Sequence, residues 1–127
     1  MLETGIKGIA EMVVENKHTA KQVGSGELEV LATPVLIALA EEAAWKSVAG
    51  ELEAGQGTVG TRMDLKHVKA TPTGMKVRCE TELTEIDRRR LVFSIQAFDE
   101  IELVGEGSCE RFIIDNESFM EKAAAKK

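Results

Sequence analysis

Thr33-Pro34-Val35-Leu36-Ile37-Ala38-Leu39-Ala40-Glu41-Glu42-Ala43-Ala44-Trp45-Lys46-Ser47-Val48-Ala49 reads as one long helix, and the rest of the chain arranges around it. Thr33 is a good N-cap, because its hydroxyl can accept from the first free N–H groups. Pro34 follows at the first helical position, where its missing N–H costs nothing. Gly50 ends the run. Val35, Leu36, Ile37, Leu39, Ala40, Ala43, Ala44 and Val48 cover well over half of the circumference, so other structure should wrap this helix. Glu42 and Lys46 form an i,i+4 pair on the solvent side. Glu41 lies about 100° away from Glu42, at the margin of the apolar face.

Downstream the period changes to two. Gly57, Val59, Thr61, Met63, Leu65 and His67 share one face of a strand from Gln56 to His67. Thr71-Pro72-Thr73-Gly74 makes a turn, and Met75 to Leu83 alternates cleanly. Arg90 to Phe98 and Leu103 to Ile114 complete four consecutive strands, whose short links predict antiparallel neighbours. Upstream, Ile6 to Val14 is a further strand, with a helical turn starting at Thr19 and an extended Leu28 to Ala32. Asp115 or Asn116 can cap a short last helix reaching about Ala125. One apolar helix followed by a meander is an α+β domain, with a curved antiparallel sheet of about five strands around the helix. Residues 1–127 form one domain, of which 116–127 is a helical tail. A single sheet of this kind leaves an open edge, which predicts a homodimer or higher homo-oligomer.

The 127 residues carry a net charge of −6, which argues against a nucleic-acid partner. The longest apolar stretch, Val30 to Ala40, is broken by Thr33-Pro34 and is too short to span a bilayer, so no membrane partner is expected. The start of the chain has no basic patch and apolar run of a signal peptide. Cys79 and Cys109 fit neither a zinc site nor a redox pair, and read as reduced core residues of a cytoplasmic protein. No metal motif, phosphate-binding glycine loop or nucleophile elbow occurs.

Few residues are left to carry chemistry. Glu41 is either a half-exposed helix glutamate or a desolvated carboxylate suited to act as general base or nucleophile. His67, inward by parity at a strand end, is either a core histidine or a proton carrier. Thr33 is either a plain N-cap or a hydroxyl beside a helix N-terminus, where Val35 and Leu36 N–H groups would favour an oxyanion. Gly60 marks a bend in a curved sheet or a close approach of backbone to a ligand, as do Gly105 and Gly107. Arg111, inward on the last strand, would meet a phosphate or pair with a carboxylate.

Three blocks carry a family resemblance. Leu31 to Glu41 resembles the central helix of the fluoroacetyl-CoA thioesterase-like group of hotdog proteins. Gly57-Thr58-Val59-Gly60-Thr61, then His67 and Ala70-Thr71-Pro72-Thr73-Gly74, resembles that group's second block, and Glu106 to Phe112 its last strand. The resemblance spans about residues 8 to 115 and implies a hotdog fold. It also implies hydrolysis of a short-chain acyl-CoA thioester, with Thr33, Glu41 and His67 as catalytic residues at a dimer interface. Gly60 and Arg111 would bind substrate, and Arg88 and Arg89 would lie near the CoA phosphates. CoA is part of the substrate, and no separate cofactor or metal is implied. Cys109 stands where the family commonly has histidine, and Val23 to Val30 lacks the aromatic lid of the fluoroacetyl-specific enzyme, which points to a general short acyl group. The alternatives are a hotdog module that binds acyl-CoA or a small ligand without turnover, and a hydratase, whose aspartate and histidine pair is missing from the helix.

Overall fold

The computed structural model describes residues 1–127. Strand β1 (Lys7–Val13) leads through a 3-10 turn (Asn16–His18) and a single turn α1 (Ala20–Val23) to the long helix α2 (Thr33–Ala49). Then come β2 (Gln56–His67), β3 (Lys76–Asp87), β4 (Arg90–Phe98), β5 (Leu103–Asp115) and the tail helix α3 (Asn116–Ala124). Thr19 caps α1 by accepting from Gln22 N–H. The strands form one antiparallel sheet in the order β1-β3-β4-β5-β2. With α2 in its concave face, this is the hotdog fold.

One expected pairing does not occur. β2 and β3 are not neighbours: β2 pairs with β5, and β1 takes the place beside β3. The link between them is no tight hairpin. It runs back beside the segment before α2, where Leu31 N–H donates to Thr71 O and Gly74 N–H to Val14 O.

The core joins Leu36, Leu39, Ala40, Ala43, Ala44 and Val48 of α2 to Val77, Leu83, Leu91, Phe93 and Ile95 of the sheet. β1 comes closest to the helix, and Gly8 makes that possible, because a Cβ there would collide with the Ala43 carbonyl. The helix is wrapped on that side only. Ala38, Trp45 and Ala49 stay exposed along α2, and Trp45 is 43% accessible. No helix is long and apolar enough to cross a membrane.

A bulge in β2 changes the parity read from the sequence. The register with β5 shifts between Gly60 and Arg62, which leaves Thr61 as the extra residue. Before the bulge Thr58 and Gly60 face α2, opposite Ile113 and Arg111; after it Met63, Leu65 and His67 do, opposite Cys109, Gly107 and Gly105. Thr61 turns instead to the outer face, where its hydroxyl donates to Glu110 at 2.6 Å.

Candidate active site

Thr33 opens α2 but does not cap it. Ala32 is the N-cap, with φ −71° and ψ 138°, and no side chain closes the first turn. The Val35 and Leu36 N–H groups both donate to Ala32 O at 3.1 Å, so they are not free to hold an oxyanion. Released from capping, the Thr33 hydroxyl shares a 2.7 Å hydrogen bond with His67 Nδ1. Which atom carries the proton depends on the histidine tautomer. His67 Nε2 is buried and has no hydrogen-bond partner. Desolvation holds the His67 pKa below the usual 6.5, with the Lys69 backbone pulling more weakly the other way. Beside the pair lies a cavity of about 260 Å³, lined in part by Val30, Leu31, Val68 and Lys69.

Glu41 belongs to a second cluster. Its Oε2 accepts from Arg111 Nη1 at 3.3 Å. Arg111 is 7% exposed, and the rest of its fork is held by Thr58: Nε donates to Oγ1 and Nη2 to the carbonyl oxygen, both at 2.9 Å. Of its two readings, the pairing with a carboxylate is present in the structure. Gly60 lies against the same carboxylate, since a Cβ there would stand 2.5 Å from Glu41 Oε2 and 3.3 Å from Arg111 Nη1. This close approach explains a glycine in mid-strand. Glu42, by contrast, pairs with Lys46 at 3.0 Å, as its position on the helix predicts.

Thr33 and Glu41 are eight residues apart on one helix, about 12 Å along its axis. The chain therefore holds two separate clusters, Thr33–His67 and Glu41–Arg111–Gly60. Arg88 and Arg89 belong to neither. They form the β3–β4 turn, at the Gln56–Asp115 end of the sheet and far from His67 and Gly105. Arg88 pairs with Asp87 and Arg89 with Asp115. The cation beside the Thr33–His67 cavity is Lys69, which sequence reasoning passed over. Its one signal was position, two residues after an inward histidine.

The cysteines are not nucleophiles. Burial pushes the Cys79 thiol up to about 12 and the Cys109 thiol to about 11, so both stay protonated at neutral pH. Neither forms a disulfide.

Residues 14–117 match the family described as fluoroacetyl-CoA-specific thioesterase. The chain is 37% identical over 98 residues to the fluoroacetyl-CoA thioesterase of Streptantibioticus cattleyicolor, covering 77% of this chain and 70% of that protein. A solved fluoroacetyl-CoA thioesterase superposes with a TM-score of 0.94 at 32% identity, over 100% of this chain and 98% of that one. A threonine variant of that enzyme, solved in complex with acetyl-CoA, gives 0.94 at 30% identity, over 99% of each chain. A Thermus thermophilus protein described as a thioesterase superfamily member shares the fold, with a TM-score of 0.89 at 23% identity, over 99% of this chain and 96% of that one. By its family match, its curated relative and its fold, the chain belongs to the fluoroacetyl-CoA-specific thioesterase family.

Proposed function

We propose that the protein hydrolyses short-chain acyl-CoA thioesters to free acid and CoA, at a site completed by two protomers. The observation that carries this reading is the Thr33–His67 hydrogen bond beside an open cavity, in a chain of this family. Glu41 takes a proton from water, or attacks the thioester carbonyl itself to form an anhydride that water then opens. Thr33 Oγ and the Gly60 N–H stabilise the oxyanion. The carbon–sulfur bond breaks, and His67 relays a proton to the departing thiolate. Arg111 positions Glu41, while Lys69 is better placed than Arg88 or Arg89 for the CoA phosphates. Two buried free thiols suit a reducing compartment, the cytoplasm.

The case for two protomers is geometric. A thioester carbonyl cannot touch Thr33 and Glu41 of one helix across about 12 Å. β2 is an open sheet edge. A two-fold copy pairing along it would run antiparallel, setting the His67 half of one strand toward the Gly60 half of the other.

Mixing two inactive variants tests both parts. Thr33→Ala and Glu41→Gln homodimers should each release little thiol from acetyl- or butyryl-CoA. Re-associated as a mixture, they should recover about a quarter of wild-type activity, because half of the dimers are mixed and each has one intact site. No recovery would show that each protomer builds its own site. No thiol release by the wild type from any ester, with CoA-ester binding retained, would leave a binding module.

The pH profile tests His67. If the neutral ring is the competent form, kcat/KM stays level on the acid side until pH falls below 6.5, then drops as His67 takes up a proton. His67→Gln should remove that limb along with most of the activity. A limb at or above 6.5 would show that the titrating group is not this desolvated histidine.

A further inference from the structure

We infer that the pocket beyond Glu41, built around Trp45, receives the acyl chain and selects acyl groups longer than acetyl. The inference rests on the thioesterase reading. Trp45 follows Glu41 by four residues, so the two side chains share one helix face, about 6 Å apart along its axis. Between the end of α2 and the start of β2 lies a cavity of about 260 Å³ lined by Trp45, Ala49, Leu52, Gln56, Thr58 and Asn116. Thr58 ties the cavity to the reactive carboxylate, because its hydroxyl and carbonyl hold the arginine that holds Glu41.

The lining is two-sided. The helix end and the loop after it supply an apolar wall of Trp45, Ala49 and Leu52, and strand β2 and α3 supply amides and a hydroxyl. An acyl chain lying on the apolar wall removes that wall from water, which favours longer chains. On a carbonyl held at Glu41, an acetyl group would end short of Trp45, and a chain of about six carbons would be long enough to reach it. The volume, just below the roughly 300–1,000 Å³ of small-molecule pockets, suits a short chain and is more than a two-carbon group fills. Trp45 is thus a specificity-determining residue on the acyl side of the site, away from the cavity at Thr33.

Trp45 is the only tryptophan, so its fluorescence reports this pocket alone. Titration with S-hexyl-CoA, a thioether that cannot be hydrolysed, should shift Trp45 emission to the blue and saturate. CoA alone and S-methyl-CoA should leave it unmoved. In turnover, Ala49→Phe should lower the hexanoyl-to-acetyl ratio of kcat/KM about tenfold or more, as expected when apolar pocket space is removed. Equal emission changes with CoA and S-hexyl-CoA, or an unchanged ratio, would overturn the pocket assignment while leaving thioester hydrolysis standing. A blue shift specific to S-hexyl-CoA, in a protein that cleaves no CoA ester, would keep the pocket and sink the hydrolase.

Discussion

Glu41→Gln lowers kcat by about two to three orders of magnitude, some 2.7–4 kcal/mol of transition-state stabilisation. The amide keeps the size and shape of the carboxylate, but it neither takes a proton from water nor attacks a carbonyl. Arg111 stays anchored, because two of its three contacts go to Thr58 and only one to Glu41. The side chain of Glu41 is 39% exposed, so water compensates much of the lost charge. Stability should therefore fall by no more than about 1–2 kcal/mol, as for one charged hydrogen bond. Thiol release and a thermal melt on the same preparation separate the two effects. Retention of more than about one tenth of wild-type turnover would remove Glu41 from the chemistry.

Gly60→Ala is expected to cost about 100-fold in turnover without unfolding the protein, as a displacement of about 1 Å at a reacting group can. The new methyl would stand 2.5 Å from Glu41 Oε2, which is closer than any real contact allows. What gives way is the end of a flexible glutamate rather than backbone, so the sheet survives and the carboxylate leaves its place. Gly60 is not among the residues at positive φ. Alanine fits its backbone and restricts the unfolded chain, an effect of about 0.4–1 kcal/mol in favour of the fold. Displacing Glu41 from Arg111 offsets this gain, so activity and stability should part company: turnover falls while the melting temperature changes little. A variant within about threefold of wild-type turnover would mean that the present position of Glu41 does not matter.

The helix and most strand limits could be read directly. Pro34 and Gly50 bracket α2, and β2 and β4 run over the residues that their alternation indicates. Separating Glu41 from Glu42 needed only the 100° helical step. The bulge at Thr61 was not readable. One extra residue leaves the local pattern of β2 intact and reverses only which residues face the helix before it. Parity puts His67 on the inner face, as found, because His67 follows the bulge; for Thr58 and Gly60, which precede it, parity gives the outer face, whereas both face α2.

Thr33 shows the same division at the helix start. A Thr-Pro pair before an apolar run signals an N-terminus, and the helix does begin there. Whether the hydroxyl caps or reaches elsewhere depended on a histidine 34 residues away. Arg111 was legible as an inward cation, yet its partner on α2 lies 70 residues off. Arg88 and Arg89 were legible as a basic run, but their distance from His67 follows from which end of the sheet the β3–β4 turn occupies.

By itself the sequence determined the helix, the strands and the α+β class. Those depend on capping, periodicity and turn chemistry, which act within a few residues along the chain. Only the tertiary structure decided that Thr33–His67 and Glu41–Arg111 are separate clusters, that Gly60 is the space beside the carboxylate, and that Trp45 overlooks a pocket. Those are contacts between residues far apart in sequence. Their geometry is set by how β2 bulges and pairs with β5 and how α2 lies across the sheet, and no local pattern encodes that.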